Sequence, residues 1–255
     1  MEFYHGCQNS FIITQEQQYL HHKSDVVTLC HEYEMDGFIV FIANPLEMVL
    51  FNADGSQATM CGNGIRTFVK YGVDHDLIHD SVVDVITPAG LICVEIVNKS
   101  PFMARVHLSQ PDFHAEKLSI NTDEEEFFHV ERTILGKKVD LHAVWTGTDH
   151  VVIPVTHFET IESLGPLISH LPLFRRGINV NFMRIISPTH IEVHTYERGV
   201  GWTKACGTGS SACVVVGRRL GLLEEKVNVT LRGGELIIEY TPEHLLMTGP
   251  AEQIV

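Results

Sequence analysis

The sequence has few positive charges and no long apolar segment. It carries 18 lysine and arginine residues against 32 aspartate and glutamate residues, for a formal net charge of −14. Because nucleic acids and anionic membrane surfaces attract basic proteins, this balance argues against both as partners. The longest apolar run, from Gly37 to Ala43, is far too short to cross a bilayer. The chain also opens without a basic flank or a cleavage-site pattern, so we expect no signal peptide.

The patterns of common metal and disulfide sites are also missing. There is no Cys-x-x-Cys pair and no His-Glu-x-x-His segment, and the 16 histidines are scattered, so the sequence does not support a metal site. Six cysteines in 255 residues are too sparse for a disulfide framework, which favours a reducing, cytoplasmic setting. With 44% hydrophobic and 20% charged residues, the chain has the composition of a globular protein of one large or two ordinary domains.

Two stretches of the chain repeat each other. The first, NADGSQATMCGNG, begins at Asn52, and the second, ERGVGWTKACGTG, begins at Glu197. Each places a cysteine, Cys61 or Cys206, directly before Gly-x-Gly, where a helical pattern begins. Because unpaired N–H groups and the helix dipole favour negative charge at a helix N-terminus, this position favours a reactive thiolate.

The repeat extends beyond these two motifs. Gly90 and Gly234 follow their cysteines within predicted hairpins, and Met103 and Met247 follow further along, at spacings that agree to within one residue. Two matching half-chains with one thiol each predict a cleft with a thiol on either wall. The alternative is two unrelated helix-entry turns with buried cysteines, which would leave the shared spacing to chance.

Short alternating segments separated by turns predict a chain dominated by strands. A first helix is predicted to start near Asn63, because Ile65, Phe68 and Val69 follow helical spacing, with Arg66 on another face. The predicted strands are 11–14, 38–43, 48–51, 81–87, 91–97, 103–108, 138–145, 151–155, 178–186, 191–196, 227–232, 235–240 and 245–248.

A second helix is predicted over Ser210–Leu220. Its segment Ala212–Val216 is apolar around most of its circumference, which predicts a helix wrapped by a curved sheet, with Cys213 as a core residue. The acidic run Asn121–Glu126 is interpreted as a solvated face or linker. We predict a domain boundary near Pro111, with a first half over residues 1–111, joined by residues 250–255, and a second half over 112–249.

The paired motifs NADGS…MCGNG and YERG…ACGTG resemble the two signatures of the diaminopimelate epimerase family, and the resemblance covers nearly the whole chain. The segments beginning at Asn179 and Met247 resemble further parts of that family. The wider superfamily also includes proline racemases, which have distinct cysteine motifs, and isomerases of the phenazine-pathway type, which lack the cysteine pair. This chain is therefore more similar to the epimerases. The resemblance implies an α+β fold of two pseudo-symmetric domains, each a mixed strand barrel around a central helix, with the active site in the cleft between them.

The implied activity is inversion of LL-diaminopimelate to meso-diaminopimelate without pyridoxal phosphate, metal or any other cofactor. That step leads to lysine and, in many bacteria, to peptidoglycan. The implied partners are a small amino-acid substrate and a second copy of the chain in a homodimer.

Inversion at a carbon requires removing a proton from one face and delivering one to the other, which a thiolate and a thiol can do. Cys61 and Cys206 are therefore the candidate catalytic residues. By resemblance, His150 and Glu197 modulate the pKa values of the cysteines. The candidate substrate-binding residues are Asn9, Asn52, Gly62, Asn63, Thr148, Asn179, Glu197, Arg198, Gly207 and Thr208.

Simpler interpretations of several candidates stay open at this point. His150 is alternatively a surface histidine at a strand start, Glu197 and Arg198 an exposed charge pair, and Asn9 a turn asparagine.

The chain departs from the family pattern in three places. Gln8-Asn-Ser-Phe stands where the family has Gly-Asn-Asp-Phe. Thr148 replaces a substrate-contacting asparagine, and Glu32–Asp36 replaces a glycine-rich loop. The cysteine pair is intact, so we expect an epimerase, with a racemase or epimerase of another amino acid as the alternative. A binding module without activity would be expected to lose a cysteine or its glycines, and no full dinucleotide fingerprint supports an NAD-dependent enzyme.

Overall fold

The computed structural model of the protein describes residues 1–254. They form two compact units, the first made of Met1–His107 with the segment from Met247 onward, and the second of Leu108–Leu246. The domain limits drawn from the sequence, 1–111 with 250–255 and 112–249, stay a prediction. Among the described residues, no helix combines the length and the apolar composition needed to cross a membrane.

Strands predominate in the described part of the chain, which also contains four α-helices and a short 3₁₀ turn at Gln17–Leu20. In chain order the elements are β1 (Glu2–Gly6), β2 (Asn9–Thr14), α1 (Lys23–Glu32), β3 (Gly37–Ile42), β4 (Glu47–Asn52), β5 (Gln57–Ala58), α2 (Gly62–Asp74), β6 (Val82–Thr87), β7 (Gly90–Lys99), β8 (Phe102–Leu108), β9 (Val130–Ile134), β10 (Lys137–Trp145), β11 (Asp149–Pro154), α3 (Ile161–Ser169), β12 (Asn179–Ser187), β13 (His190–Glu197), β14 (Gly201–Thr203), α4 (Gly207–Arg219), β15 (Lys226–Leu231), β16 (Gly234–Tyr240), β17 (Leu245–Pro250) and β18 (Glu252–Ile254).

The first unit is a mixed sheet that surrounds α2. β1 pairs antiparallel with β2 and β18, and β2 lies parallel to β3 after the crossover through α1. β3 and β4 form a hairpin, β4 lies parallel to β6 after the crossover through α2, and β6, β7 and β8 continue antiparallel. α2 packs against β1, β2, β3, β4 and β18. The helix is thereby enclosed by strands.

The second unit repeats this order of pairings. β10 pairs antiparallel with β11, β11 lies parallel to β12 after α3, and β12 and β13 form a hairpin. β13 then lies parallel to β15 after α4, and β15 and β16 form the next hairpin. α4 packs against β10, β11, β12, β13 and β16. The predicted pseudo-symmetric α+β fold, with a strand barrel around each central helix, is confirmed.

α2 and α4 each form the buried centre of their own unit. On α2, Ile65 and Phe68 are fully buried, and on α4 the whole segment Ala212–Val216 is 0% exposed. A helix that is apolar on all sides loses contact with water only if strands cover its circumference, as they do here. Cys213 is one of these core residues, as predicted.

The sequence reading missed α1 and α3. α1 buries only Val26 and Cys30 among its ten residues, so its helical periodicity is weak. α3 contains Gly165 and Pro166, which normally argue against a helix. A Cβ at Gly165 would lie 2.8 Å from the Trp202 ring, so glycine serves close packing of α3 against β14.

Candidate active site

Cys61 is the N-cap residue of α2. Its backbone is extended, with φ −143° and ψ 120°, and its Sγ accepts a hydrogen bond from the Gly64 N–H at 3.5 Å. A sulfur in this position replaces the serine or aspartate oxygen that usually caps a helix. Gly62 is the first helical residue, and a Cβ there would lie 2.3 Å from the Met247 methyl carbon, so the backbone needs glycine to lie this close.

Asn9 and Asn63 lie beside the Cys61 sulfur. The Cys61 thiol donates to Asn9 Oδ1 at 3.8 Å, and Asn63 Nδ2 donates to the same oxygen at 3.3 Å. Asn9, the first residue of β2, therefore contacts two other candidate residues. An asparagine that only stabilises a turn would form its hydrogen bonds within that turn.

Arg66, one turn into α2, is a residue whose importance the sequence reading missed. Its side chain is 0% exposed and donates to Asn63 Oδ1 at 2.8 Å, to the Gly62 carbonyl at 2.9 Å and to the Pro250 carbonyl at 3.1 Å. Its hydrogen-bond partners among the described residues include no carboxylate. Burial lowers its pKa, while the nearby Cys7 and Cys61 sulfurs act in the opposite direction. The guanidinium thus ties the start of α2 to the end of β17.

Asn52 is the last residue of β4. Its side-chain amide donates to Ser56 Oγ at 2.9 Å, and its backbone N–H donates to the Ser56 carbonyl at 2.8 Å. The residue closes the turn that precedes β5. Among the described contacts, Asn52 has no hydrogen bond to Asn9 or Cys61.

Cys206 holds the matching position at the start of α4. Its backbone is extended, with φ −126° and ψ 110°, and its Sγ accepts from the Gly209 N–H at 3.4 Å. Thr208 Oγ1 lies 3.5 Å from the same sulfur. Gly207 begins the helix, so the first N–H groups of α4, like those of α2, have no helical acceptor and can bind an anion.

His150 is buried in a polar network next to Cys206. The side chain is 0% exposed, so the surface-histidine alternative is wrong. Its Nε2 lies 2.8 Å from Thr148 Oγ1 and 3.0 Å from Thr208 Oγ1, and its Nδ1 lies 3.1 Å from Asn181 Nδ2. Burial, assisted by the Arg198 charge, lowers the pKa of His150 to about 3. His150 is therefore a neutral imidazole at neutral pH.

Asn179 joins Thr148 to Arg198. Its Nδ2 donates to Thr148 Oγ1 at 3.3 Å and to the Asp149 carbonyl at 2.9 Å, and its Oδ1 accepts from the Arg198 backbone N–H at 3.0 Å. The Arg198 guanidinium donates to the Gly177 carbonyl at 3.2 Å. Three candidate residues are thus connected in one network at the ends of β11, β12 and β13.

Glu197, the last residue of β13, accepts a hydrogen bond from the Thr203 hydroxyl at 2.7 Å. The bond fixes the carboxylate against β14, in the segment that leads to Cys206.

Asp149 is a buried carboxylate that the sequence reading did not single out. It lies 3.3 Å from Arg176 Nη2 and 3.8 Å from Arg198 Nη1. Burial raises the pKa of Asp149, and the two arginines partly oppose that shift. The carboxylate therefore places a negative charge next to Arg198.

A further polar cluster in the second unit consists of His129, Asp140 and His142, whose ligand atoms lie within 4.8 Å of one another. The His129 backbone N–H donates to His142 Nδ1 at 3.3 Å, which places the ring proton on Nε2, 3.1 Å from Asp140 Oδ2. A protonated Nε2 is not a metal ligand. Nε2 lies close to the Asp140 carboxylate without hydrogen-bond geometry, so the contact between the two side chains is electrostatic.

Comparison with known proteins decides the family. The sequence model of the family described as diaminopimelate epimerase matches residues 2–110 and 142–254. The chain belongs to the diaminopimelate epimerase family. The diaminopimelate epimerase of Halothermothrix orenii is 37% identical over 98% of this chain and 94% of its own length. That of Carboxydothermus hydrogenoformans is 38% identical over 99% of this chain and 97% of its own length. The predicted enzyme class, an isomerase, is confirmed.

Solved structures with lower sequence identity share the fold. A phenazine biosynthesis protein of the PhzF family from Bacillus anthracis superposes with a TM-score of 0.70 at 15% identity, over 100% of this chain and 96% of that one. A probable proline racemase from Agrobacterium radiobacter superposes with a TM-score of 0.70 at 13% identity, over 99% and 90% of the two chains. The fold of this family member is therefore shared with proteins that have little sequence in common with it.

Proposed function

We propose that this member of the diaminopimelate epimerase family inverts the α carbon of LL-diaminopimelate to give meso-diaminopimelate, by proton transfer between Cys61 and Cys206. The observation that carries the proposal is the matching placement of the two cysteines. Each is the N-cap of the central helix of its unit, and each sulfur accepts the N–H of the third helical residue, at 3.5 Å for Cys61 and 3.4 Å for Cys206. A donated N–H and a helix N-terminus both favour a thiolate.

The mechanism uses one cysteine as thiolate and the other as thiol. The thiolate removes the α proton, the thiol delivers a proton to the opposite face, and the roles exchange in the reverse reaction. Backbone N–H groups of Gly62, Asn63, Gly207 and Thr208 are the proposed donors to the substrate carboxylate, onto which charge builds as the carbanion forms. No electron-sink cofactor is required in this scheme.

The distal end of the substrate carries a second amino group and a second carboxylate. We assign their recognition to Glu197 and Arg198, because a guanidinium binds a planar carboxylate with two parallel hydrogen bonds. Asn9, Asn52, Thr148 and Asn179 supply the remaining polar contacts in this assignment.

The decisive test is proton exchange in D₂O with purified protein. Incubation with LL-diaminopimelate should give meso-diaminopimelate with one solvent deuterium at the inverted carbon. Cys61→Ala and Cys206→Ala should each abolish net inversion. The matched control is Cys93→Ala, since Cys93 lies on β7 and burial, with Asp84, raises the pKa of its thiol. Cys93→Ala should retain activity. Full inversion by Cys61→Ala or by Cys206→Ala would contradict the two-cysteine proposal.

A racemase or epimerase of another amino acid is the second candidate function. It is favoured by Asp149, whose carboxylate lies 3.8 Å from Arg198 Nη1, where it opposes binding of a distal carboxylate. A panel of L-amino acids incubated in D₂O separates the two functions, because deuterium enters the α carbon only of substrates that turn over.

The biological setting follows from the activity. We place the enzyme in the cytoplasm, in the synthesis of lysine and of a peptidoglycan precursor, as a homodimer. Light scattering on the purified protein measures the oligomeric state.

A further inference from the structure

The amide of Asn181 has a fixed orientation in the buried network beside Cys206. Asn181 is 0% exposed, its Nδ2 lies 3.1 Å from the Val151 carbonyl oxygen, and its Oδ1 accepts from the Thr195 hydroxyl at 3.0 Å. A carbonyl oxygen only accepts hydrogen bonds, so the atom facing it must be the NH₂ group. Rotating the amide by 180° would set two oxygens against each other.

This orientation determines the tautomer of His150. Asn181 Nδ2 also points at His150 Nδ1, at 3.1 Å, and an NH₂ group can only donate there. Nδ1 must therefore carry a lone pair, and the ring proton of the neutral imidazole must reside on Nε2. The ring is neutral because burial lowers the pKa of His150 to about 3. The charged group that acts on this ring is Arg198, at the end of β13.

The tautomer in turn determines the direction of the Thr208 hydroxyl. Nε2–H lies 3.0 Å from Thr208 Oγ1 and 2.8 Å from Thr148 Oγ1, so both threonine oxygens accept from it and neither can donate back. The Thr208 hydroxyl proton is then directed to another acceptor, and Cys206 Sγ lies 3.5 Å away. The Thr208 backbone is held in place, because its carbonyl accepts from the Thr146 hydroxyl at 2.9 Å.

We propose that Asn181 is a positioning residue that directs a one-way hydrogen-bond chain, Asn181 to His150 to Thr208, whose last hydroxyl donates to Cys206. The chain stabilises the thiolate of Cys206 with a neutral donor, and His150 acts through Thr208 without taking up a proton. In the opposite tautomer Nε2 would accept a hydrogen bond from the Thr208 hydroxyl. The Cys206 sulfur would then lose this donor. The relevance to catalysis rests on the proposed function, but the chain itself does not.

The test uses two readouts that need no substrate. The first is the ¹⁵N spectrum of histidine-labelled protein, which distinguishes Nδ1–H from Nε2–H tautomers; the His150 signals are assigned by their absence in His150→Gln. The second is the pH dependence of Cys206 alkylation by iodoacetamide, followed by mass spectrometry of the Cys206 peptide. Failure of the epimerase proposal would leave both readouts unaffected.

Each variant has a distinct expected result. Asn181→Asp presents an acceptor to Nδ1, so it should convert His150 to the Nδ1–H tautomer and raise the alkylation midpoint of Cys206 by about 1 pH unit. Thr208→Val should raise the midpoint by a similar amount while leaving the Nε2–H tautomer unchanged. Thr208→Ser, which keeps the hydroxyl, should retain the wild-type tautomer and midpoint. Thr148→Val, which removes the other acceptor of Nε2–H and one acceptor of Asn179 Nδ2, should retain them as well.

Three results would overturn the proposal. An Nδ1–H tautomer in the wild-type protein contradicts its first step, even if Asn181→Asp fails to fold. An unchanged alkylation midpoint in Thr208→Val contradicts its last step. A shift in Thr208→Ser as large as that in Thr208→Val shows that side-chain packing, and not the hydroxyl, acts on the sulfur.

Discussion

Gly209 and Asn181 are in such close contact that no side chain fits between them. A Cβ at Gly209 would lie 2.2 Å from Asn181 Oδ1 and 3.2 Å from Cys206 Sγ. The Asn181 oxygen is held in place, because it accepts a hydrogen bond from the Thr195 hydroxyl at 3.0 Å and the residue is fully buried. The glycine of the second motif therefore leaves room for the network behind Cys206.

Gly209→Ala should displace Asn181 and disturb the N–H that Gly209 donates to Cys206. We expect at least a tenfold loss of kcat and a loss of about 1–3 kcal/mol of stability from overpacking. The control is Gly217→Ala on the same helix, where the Cβ would lie 2.3 Å from the Leu223 side chain, away from Cys206. It should lower stability in urea unfolding with kcat retained. Wild-type kcat in Gly209→Ala would contradict this account.

Arg66 should be essential for the stability of the first unit. Replacing it with methionine removes the guanidinium donors to Asn63 Oδ1 and to the Gly62 and Pro250 carbonyls, and methionine offers these buried oxygens no donor in return. Each hydrogen bond from a charged donor contributes about 1.5–3 kcal/mol, so urea unfolding should show a loss of at least about 2 kcal/mol.

The matched control for Arg66 is Lys70→Met, on the same helix. Lys70 forms an i,i+4 pair with Asp74 and both side chains are partly exposed, so this change should cost less than about 1 kcal/mol. Equal losses in the two variants would show that the buried contacts of Arg66 contribute little. Arg66→Lys should behave like Arg66→Met, because one ammonium cannot reach all three oxygens.

Sequence periodicity and motif spacing were sufficient to predict the two central helices and most strands. The two motif cysteines and Gly-x-Gly segments mark where α2 and α4 begin, and the apolar Ala212–Val216 segment marks a buried helix. What they could not reveal are contacts between residues distant in sequence. The hydrogen bond from Arg66 to Pro250 and that from Asn181 to His150 depend on tertiary packing. Arginine and asparagine are common on protein surfaces, so the sequence does not mark Arg66 or Asn181 as buried. Asp149 was missed for the same reason, because its burial and its contacts with Arg176 and Arg198 also arise only in the folded chain.

His150 should make stability depend on pH. In the unfolded chain a histidine has a pKa of about 6.5, whereas burial lowers the pKa of His150 in the fold to about 3. Between these values the unfolded state binds a proton that the folded state does not, so stability falls as pH falls below about 6.5, by up to about 1.4 kcal/mol per pH unit. Above that window both states are neutral and His150 contributes no pH dependence.

Urea unfolding between pH 4.5 and 7 measures the His150 contribution. His150→Gln removes the titrating group, so the slope of unfolding free energy against pH should be shallower in the variant than in the wild type. Parallel slopes would mean that His150 is protonated in the folded protein, and this would also conflict with its role as a neutral donor to Thr208.

Asp149 should control how strongly Arg198 binds a carboxylate. Its charge lies 3.8 Å from Arg198 Nη1, so it competes with any acidic group that Arg198 would bind. Under the proposed function, Asp149→Asn should lower the KM for meso-diaminopimelate about threefold to tenfold with kcat little changed, since removing one charge at this distance in a partly solvated site changes binding by about 1 kcal/mol.

The opposite result is expected at Arg176. Arg176 lies 3.3 Å from the same carboxylate and is largely exposed, so Arg176→Gln leaves Asp149 to act on Arg198 alone and should raise KM. L-Lysine, which has no distal carboxylate, is the substrate control: any turnover of it should not respond to Asp149→Asn in the same direction. A KM for meso-diaminopimelate that rises in Asp149→Asn would show that Asp149 holds Arg198 in its binding orientation. Competition with the substrate would then be the weaker effect.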